Sequence, residues 1–327
     1  PTFIIGGKLA TTGSNAKLGE GEYLLAEADE SDASFLFLNP MISVVTNIDL
    51  DHMDTYEHDE NKLKQAFIQF LHNLPFYGRA IVCGEDKRLQ EIIPSINRPT
   101  TTYGLSDKFD IYATEVVAVG GSMSYNVHVK WLNLIYPIVV NMPGVHNVLN
   151  SLSVIAVALE CDGKIEDIAR GLANFHGVGR RCQHYPEIQH AGKTALLIDD
   201  YGHHPVELKA TLSALRGAYP EKRMVLIFQP HRYTRTRDLF DDFVSVLSDV
   251  DQLIITEVYP AGEKPIALAD GRALVRAIRL QGNENAIFAE DIVDAKRKLF
   301  NILQQDDLVV TMGAGSVGKL PAMLNND

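Results

Sequence analysis

Short apolar runs alternate with helical patterns along the carboxy-terminal half of the sequence, and this alternation restricts the possible folds more than any other feature. The apolar runs lie at 195–198, 224–228, 253–256, 286–288 and 308–311, and the helical patterns at 206–215, 238–247, 271–280, 292–303 and 317–323. Such alternation is typical of parallel sheets with helices on both faces. It predicts a doubly wound, mainly parallel sheet.

The amino-terminal half contains two further apolar runs, and each is followed at once by polar residues. The runs at 23–26 and 42–45 are typical of strands buried on both faces of a parallel sheet. Ligand crevices in open parallel sheets lie outside the carboxyl ends of the strands. We therefore expect two polar clusters at one shared edge: Glu27, Asp29, Glu30, Ser31 and Asp32 after the first run, and Asn47, Asp49, Asp51, His52 and Asp54 after the second.

The rest of this half first continues the α/β pattern and then changes to the alternating pattern of antiparallel strands. Strands are predicted at 79–83 and 100–104, and helices at 60–74, 86–93, 146–159 and 165–175. Between 110 and 141 the sequence alternates around Gly120-Gly121, which predicts antiparallel hairpins added to the domain.

The length of 327 residues corresponds to about two domains. The α/β pattern restarts near the glycines and arginines of 177–181, so we expect one domain over 1–178, a hinge, and a second domain over 179–327. The first strand pattern is reached without a complete preceding βα unit. We therefore expect that an amino-terminal segment is absent.

The net charge of −12 argues against nonspecific nucleic-acid binding, which needs concentrated Lys and Arg. No apolar run approaches the roughly 20 residues of a membrane span, and the start lacks the features of a signal peptide. Cys83, Cys161 and Cys182 are odd in number and widely spaced, which suits a reducing compartment. We predict a cytoplasmic protein with no nucleic-acid or membrane partner, and the oligomeric state stays open.

Glu27 and His52 form the first candidate site. A carboxylate and an imidazole at neighbouring strand ends could hold Mg²⁺, directly or through water, with phosphate oxygens completing the octahedron. The alternative interpretation is a pair of solvated edge residues.

The loop after the predicted strand 195–198 forms the second candidate site. It carries Asp199, Asp200, Tyr201, His203 and His204, which could bind ribose, phosphate or an amine. The alternative is an ordinary helix start, in which His204 is the N-cap and proline follows at the first helical position.

The loop after the strand 224–228 is rich in cations, namely His231, Arg232, Arg235 and Arg237. Because the planar guanidinium group binds carboxylate or phosphate in a bidentate way, the cluster predicts an anion site. A solvated basic face is the alternative.

Gly313, Gly315 and Gly318 match the dinucleotide pattern G-x-G-x-x-G after a strand. Only nine residues follow Gly318, so no second strand and no ribose-binding acidic residue can follow at the usual spacing. Close packing of the last helix on the sheet is the favoured role, and an NAD-dependent oxidoreductase is the rival hypothesis.

These segments together resemble the Mur ligase family of peptidoglycan synthesis, and most closely its alanine-adding members. The resemblance covers essentially the whole chain and rests on eight motifs in the family's order: AEADESDASF (26–35), TNIDLDHMDTY (46–56), FLHNLPFYGRA (70–80), PGVHNVLN (143–150), GVGRR (177–181), DDYGHHPVE (199–207), FQPHRYTRTRDL (228–239) and EVYPAGE (257–263).

The resemblance implies an amino-terminal domain for the UDP-sugar, a central P-loop ATPase domain and a Rossmann-like carboxy-terminal domain for the amino acid. The chain departs from the family at its start, because no G-x-x-x-x-G-K-[ST] occurs in it. The implied fold is therefore a truncated P-loop-type central domain with an antiparallel addition, followed by the Rossmann-like domain. The chain alone is expected to be inactive.

The resemblance also implies substrates, cofactors and roles for single residues. ATP with Mg²⁺ would activate the lactyl carboxylate of UDP-N-acetylmuramate as an acyl-phosphate, which L-alanine then attacks. The implied roles are metal ligation by Glu27 and His52, adenine-side contacts by His146, Asn147 and Asn150, phosphate and ribose contacts by Arg181 and Asp200, an alanine pocket of Tyr201, His203, Arg232 and Arg235, and catalysis by His52, Arg181 and His203.

Two alternatives remain within this interpretation. A sibling ligase would attach a peptide, rather than one alanine, to the same sugar nucleotide. The fragment by itself would be a non-catalytic module that binds nucleotide or amino acid.

Overall fold

The computed structural model describes residues 1–9, 12–119, 121–175 and 177–325. The chain divides into two compact units, Pro1–His176 and Gly177–Asp327. Each unit has its own six-stranded sheet and its own core. The assignment of ATPase and amino-acid-binding roles to 1–178 and 179–327 stays a prediction.

The first unit contains a small sheet and a large one. The strands are β1 (Thr2–Ile4), β2 (Ala16–Lys17), β3 (Leu24–Ala26), β4 (Ile42–Val45), β5 (Arg79–Cys83), β6 (Thr100–Gly104), β7 (Ile111–Val119), β8 (Ser122–Val129) and β9 (Leu134–Val140). The small sheet has the order β2-β1-β3, and the large one β4-β5-β6-β7-β8-β9. Strands β4 to β7 are parallel, and β7 to β9 are antiparallel.

Four helices accompany the large sheet among the described residues: α1 (Glu60–His72), α2 (Lys87–Ile92), α3 (Val145–Glu160) and α4 (Ile165–Ala173). The predicted α/β pattern and the antiparallel addition are confirmed. The turn between β7 and β8 was expected at Gly120-Gly121, of which Gly120 lies outside the described residues.

The prediction for the strand at 23–26 is wrong in two respects. Leu24 and Leu25 are 61% and 56% exposed, so this strand is not buried on both faces. Strand β3 pairs with β1, whereas β4 is the edge strand of the large sheet, so the two runs do not share a sheet edge. The physical reason is that an apolar run fixes the tendency to form a strand but not the layer that covers it.

The second unit is a six-stranded sheet with the order β10-β11-β15-β12-β13-β14. Its strands are β10 (Gln183–His190), β11 (Lys193–Asp200), β12 (Met224–Phe228), β13 (Gln252–Thr256), β14 (Ala286–Ala289) and β15 (Leu308–Met312). Its helices are α5 (Pro205–Ala218), α6 (Tyr233–Asp238), α7 (Phe240–Leu247), α8 (Gly271–Leu280), α9 (Ile292–Ile302) and α10 (Leu320–Leu324).

Strands β11 to β15 are parallel, and separate apolar clusters pack on the two faces of the sheet. The predicted doubly wound sheet is therefore confirmed. The antiparallel strand β10 was not predicted; the helix expected over 238–247 is α7, and the short helix α6 before it was not predicted. Because β15 lies between β11 and β12, the carboxyl ends of these three strands form the edge where a ligand crevice is expected.

No helix in the described part of either unit is long and apolar enough to cross a membrane.

The amino-terminal side of this second sheet is held by a buried ion pair, which generates a first prediction. Asp307 is 1% exposed and accepts hydrogen bonds from Arg223 Nε at 2.9 Å and Nη2 at 2.7 Å. Arg223→Ala should lower the free energy of unfolding by on the order of 3 kcal/mol, because the carboxylate stays buried without its countercharge. Urea denaturation of the second unit measures this loss.

The control is Arg216→Ala, which removes the more exposed pair of Arg216 with Asp251 at 2.9 Å. That change should cost about 1 kcal/mol or less. Equal losses for the two variants would contradict the argument from burial.

Candidate active site

The two polar segments that follow β3 and β4 contact each other although their strands lie in different sheets. Thr55 Oγ1 donates a hydrogen bond to the backbone oxygen of Ser31 at 2.6 Å, and the Tyr56 hydroxyl donates to the backbone oxygen of Glu30. Burial, together with the nearby carboxylates of Glu30 and Asp29, raises the pKa of Tyr56 to about 12. The structure thus brings the two acidic segments together through loop contacts rather than through a common sheet edge.

Glu27 and His52 lie in these segments, one in each. The Glu27 carboxylate accepts a hydrogen bond from the backbone N–H of Gly6. His52 has a left-handed backbone with φ of 54°, and its Nε2 lies 3.5 Å from Asp51 Oδ2. Both side chains are therefore already held by neighbours within their own unit.

The side chains of these two segments can be compared with the ligands that Mg²⁺ usually takes in proteins. Among the described residues, no group of three or more His, Cys, Asp or Glu side chains is placed to enclose a metal ion. Mg²⁺ is commonly held by only one or two protein carboxylates, and substrate phosphates and water supply its other ligands. The Glu27 carboxylate fits that pattern.

The first turn of α3 carries the residues expected near adenine. Asn147 is buried, and its Nδ2 donates to the Pro143 oxygen at 2.8 Å and lies 3.1 Å from His146 Nε2. His146 and Asn150 are four residues apart and so share one face of the helix. Asn147 thus closes the turn before the helix, while Asn150 is exposed.

Asp199 is fully buried near the end of β11 and connects three segments of the second unit. Its Oδ2 accepts from Arg180 Nε at 2.8 Å, and its Oδ1 accepts from Thr311 Oγ1 at 2.6 Å. Arg180 Nη2 also donates to the Gly313 oxygen at 2.6 Å. Burial raises the pKa of Asp199 above its ordinary value, although Arg180 and Thr311 both act to lower it.

Asp200 fixes the turn that follows. Its two carboxylate oxygens accept from the backbone N–H groups of Cys182 and Gly202, each at 2.8 Å. The N–H of Tyr201 donates to the Arg180 oxygen at 2.6 Å. The main contacts of Asp200 within the unit are therefore to backbone.

The glycine-rich turn after β15 packs tightly against this region. A Cβ atom on Gly315 would lie 2.5 Å from Gln229 Oε1, and one on Gly318 would lie 2.4 Å from Arg180 Cζ. Gln229 is buried, and its Oε1 accepts from the Val317 N–H at 2.9 Å. Glycine is present at these positions because the neighbouring side chains leave no room for a Cβ atom. This close packing disfavours a dinucleotide site here.

Four aromatic rings line up above the carboxyl ends of β11, β12 and β13. The Tyr201 and His203 rings meet edge to face at 5.4 Å, and the His203 and His231 rings do so at 5.6 Å. His231 in turn stacks on Tyr259, with centroids 5.5 Å apart and an angle of 8° between the rings. The second and third predicted sites are therefore one continuous cluster.

The arginines of the third predicted site differ in their surroundings. Arg235 is 8% exposed, and its Nη1 lies 3.5 Å from His231 Nδ1 and 3.4 Å from the His231 oxygen. Arg232 is exposed, and its N–H donates to the Tyr259 oxygen at 2.9 Å. Burial lowers the pKa of His231 to about 4, with contributions from His203, Arg235 and Arg232. His231 is thus neutral at physiological pH.

Helix α6, which contains Arg235 and has Arg232 as its N-cap residue, is anchored by a carboxylate to which the sequence alone gave no role. Glu263 accepts from the Thr234 N–H at 3.0 Å and from the Thr234 hydroxyl at 2.7 Å. Arg237 is exposed and pairs with Asp238 at 2.7 Å.

His204 caps α5 together with Glu207, which the sequence analysis also missed. Glu207 Oε1 lies 3.6 Å from Arg181 Nη1, and its Oε2 lies 3.5 Å from His203 Nδ1. Glu207 could have been recognised from the sequence, because it lies three residues after His204, the N-cap that a proline follows. Arg180 and Tyr259 lie in the motifs 177–181 and 257–263, but the sequence did not show their roles, because their partners are distant in sequence.

Comparison with known proteins identifies related families along most of the chain. The family profile of the Mur ligase middle domain matches residues 9–158, and that of the Mur ligase glutamate ligase domain matches residues 180–315. A UDP-N-acetylmuramate–L-alanine ligase of Neisseria meningitidis is 58% identical over 99% of this chain and 70% of its own length. The ligase of the same name from Chromobacterium violaceum is also 58% identical, over 98% of this chain and 70% of its own length.

Solved structures have the same fold. The UDP-N-acetylmuramate–alanine ligase MurC of Thermotoga maritima matches 99% of this chain and 68% of its own chain, with a TM-score of 0.79 at 23% identity. The MurF ligase of Thermotoga maritima in complex with ADP matches 99% of this chain and 73% of its own, with a TM-score of 0.74 at 14% identity.

The low pKa of His231 generates a second prediction. The unfolded chain takes up this proton near the ordinary value of 6.5, whereas the folded chain does so only near 4. Stability should therefore fall as the pH drops from about 6.5 towards about 4. His231→Asn should weaken this dependence, measured as the difference in Tm between about pH 7 and about pH 5.

The control is His190→Asn, whose ring stacks on Phe300 at the opposite end of β11. That variant should keep the pH dependence of the unmutated chain. An unchanged pH dependence in His231→Asn would show that His231 is not the group responsible.

Proposed function

The chain belongs to the Mur ligase family, and on that premise we propose that it joins L-alanine to the lactyl carboxylate of UDP-N-acetylmuramate. The reaction is ATP-dependent and ADP-forming, and it belongs to peptidoglycan precursor synthesis in the cytoplasm. The names of relatives at 58% identity support this choice. The structural observation that carries it is the cluster of Tyr201, His203, His231 and Arg235 at the carboxyl ends of β11 and β12.

The chemistry is the activation of a carboxylate followed by amide formation. A lactyl oxygen attacks the γ-phosphorus of ATP, so that ADP leaves and an acyl-phosphate forms. The neutral amine of L-alanine then attacks the acyl carbon, its nitrogen releases a proton, and the tetrahedral intermediate collapses to the amide by expelling inorganic phosphate. Mg²⁺, when bound, would offset the repulsion between the anions that meet in the first step.

The first unit would bind the nucleotide. In this proposal Glu27 and His52 act as metal ligands, and His52 serves catalysis in this way. His146 and Asn150, on one face of α3, contact the adenine side, and Asn147 holds the turn on which they depend.

The second unit would bind the amino acid and contact the phosphates. Arg232 and Arg235 would bind the alanine carboxylate, because a guanidinium offers two parallel donors to such a group. Tyr201 and His203 would form the wall of the pocket. Arg181 would serve catalysis at the phosphates, and Asp200, whose two oxygens hold the turn, would contact the ribose.

The rival within the family is a ligase that adds a peptide. A panel of amino acids and short peptides, followed by ADP release in the full-length protein, tests the proposal. Release that depends on both L-alanine and UDP-N-acetylmuramate supports it, and release only with a peptide overturns it.

A third prediction concerns the metal ligands. Glu27→Gln and His52→Ala in the full-length protein should lower turnover severely and leave the fold intact, because an amide is a weaker Mg²⁺ ligand and a methyl group is none. Turnover at limiting Mg²⁺ measures the effect. Asp54→Asn, at an exposed carboxylate paired with His58, is the control and should stay near normal. Near-normal turnover in either test variant would remove that residue from the metal site.

A fourth prediction concerns the arginines. Arg232→Ala and Arg235→Ala should each raise the KM for L-alanine at least about tenfold, which corresponds to about 1.4 kcal/mol, while the KM for ATP changes little. Lysine at either position should rescue only partly, because an ammonium group lacks the planar fork.

The matched control is Arg237→Ala on the same helix, which should leave the KM for L-alanine unchanged. If the test variants keep a normal KM for L-alanine but lose ATP affinity, the cluster serves phosphate instead.

A further inference from the structure

Glu207 occupies the third position of α5 and holds two successive backbone amides. Its Oε2 accepts from the N–H of His203 at 2.9 Å and from the N–H of His204 at 3.2 Å. A capping box requires only the second of these bonds. The carboxylate therefore also fixes the residue before the N-cap, which carries one of the rings of the site.

The same carboxylate lies between two charged or ionisable side chains. Its Oε2 is 3.5 Å from His203 Nδ1, and its Oε1 is 3.6 Å from Arg181 Nη1. Burial alone would raise the pKa of Glu207, but the His203 and Arg181 side chains, together with the backbone N–H donors of His203 and His204, outweigh that effect and hold the pKa below its ordinary value. Glu207 is thus ionised at neutral pH, beside both residues.

The contacts of Nδ1 favour one tautomer of the neutral His203 ring. Nδ1 faces the Tyr201 oxygen at 3.2 Å and Glu207 Oε2 at 3.5 Å, and both of these are acceptors. The hydrogen of the neutral ring is therefore assigned to Nδ1, which makes Nε2 the acceptor atom. The carboxylate orients the imidazole in the way that an acidic partner orients a catalytic histidine.

We infer that Glu207 is a positioning residue of the amino-acid site, and that its negative charge sets the tautomer of His203 and the place of Arg181. This inference rests on the proposed function. Helix capping alone does not require the charge, because glutamine at the third position also completes a capping box. The exchange of Glu for Gln therefore separates the two roles.

The test compares Glu207→Gln with the unmutated full-length protein. The variant should keep its Tm within about 2 °C, because the cap is retained. Its kcat/KM for L-alanine should fall at least about tenfold, because His203 and Arg181 lose the charge that orients them. Asp291→Asn, at the N-cap of α9 where Asp291 accepts from the Asp294 N–H at 2.8 Å, is the matched control and should keep normal kcat/KM.

A double-mutant cycle shows whether Glu207 acts through His203. Once His203 is alanine, adding Glu207→Gln should cost far less than it does alone, because coupled residues are not additive. Full additivity, or a fall in Tm that matches the loss of activity, would overturn the inference in favour of a purely structural cap.

A readout independent of activity separates failure of this inference from failure of the proposed function. Long-range proton–nitrogen NMR spectra of the imidazoles should show the Nδ1–H form of His203, assigned by its loss in His203→Ala. Glu207→Gln should convert that signal to a mixture of tautomers. An unchanged His203 signal overturns the inference even if the enzyme ligates L-alanine, whereas absence of alanine-dependent activity in the unmutated protein overturns the proposed function.

Discussion

The second unit depends on two adjacent buried carboxylates at the end of β11. Asp199 joins the segment of Arg180 to β15, and Asp200 joins Cys182 to the turn after Tyr201. A buried carboxylate without such donors would be costly, so these contacts are a requirement of burial as well as a source of order. They determine where the following turn leaves the sheet, and therefore where His203 lies.

The fold was predictable where burial is complete. Strands such as β12 and β15 are buried at every residue, so their apolar runs carry an unambiguous signal. The antiparallel strand β10 (QHYPEIQH) was missed because it lies at the edge, contains proline and is half polar. The exposed strand β3 was assigned to the wrong environment, because its apolar residues indicate a strand but do not show whether another layer packs on it.

The candidate site was predictable to the extent that its residues follow the carboxyl ends of parallel strands, where ligand crevices form. The cations after β12 and the polar residues after β11 do form one cluster. Glu207 and Glu263 were missed because each looks, in sequence, like an ordinary cap or loop carboxylate. Their importance comes from partners such as Arg181 and Thr234, which only the folded chain brings within reach.

The hydrogen bonds around Asp200 have a consequence for how this loop moves. The amide hydrogens of Cys182, Tyr201 and Gly202 all donate within the unit, so they cannot exchange with solvent until those bonds break. Because Asp200 is the last residue of β11, an interior strand beside the edge strand β10, breaking them requires local opening at that end of the sheet. These three amides should therefore exchange more slowly than solvent-facing loop amides, as expected of a fixed wall of the site rather than of a lid.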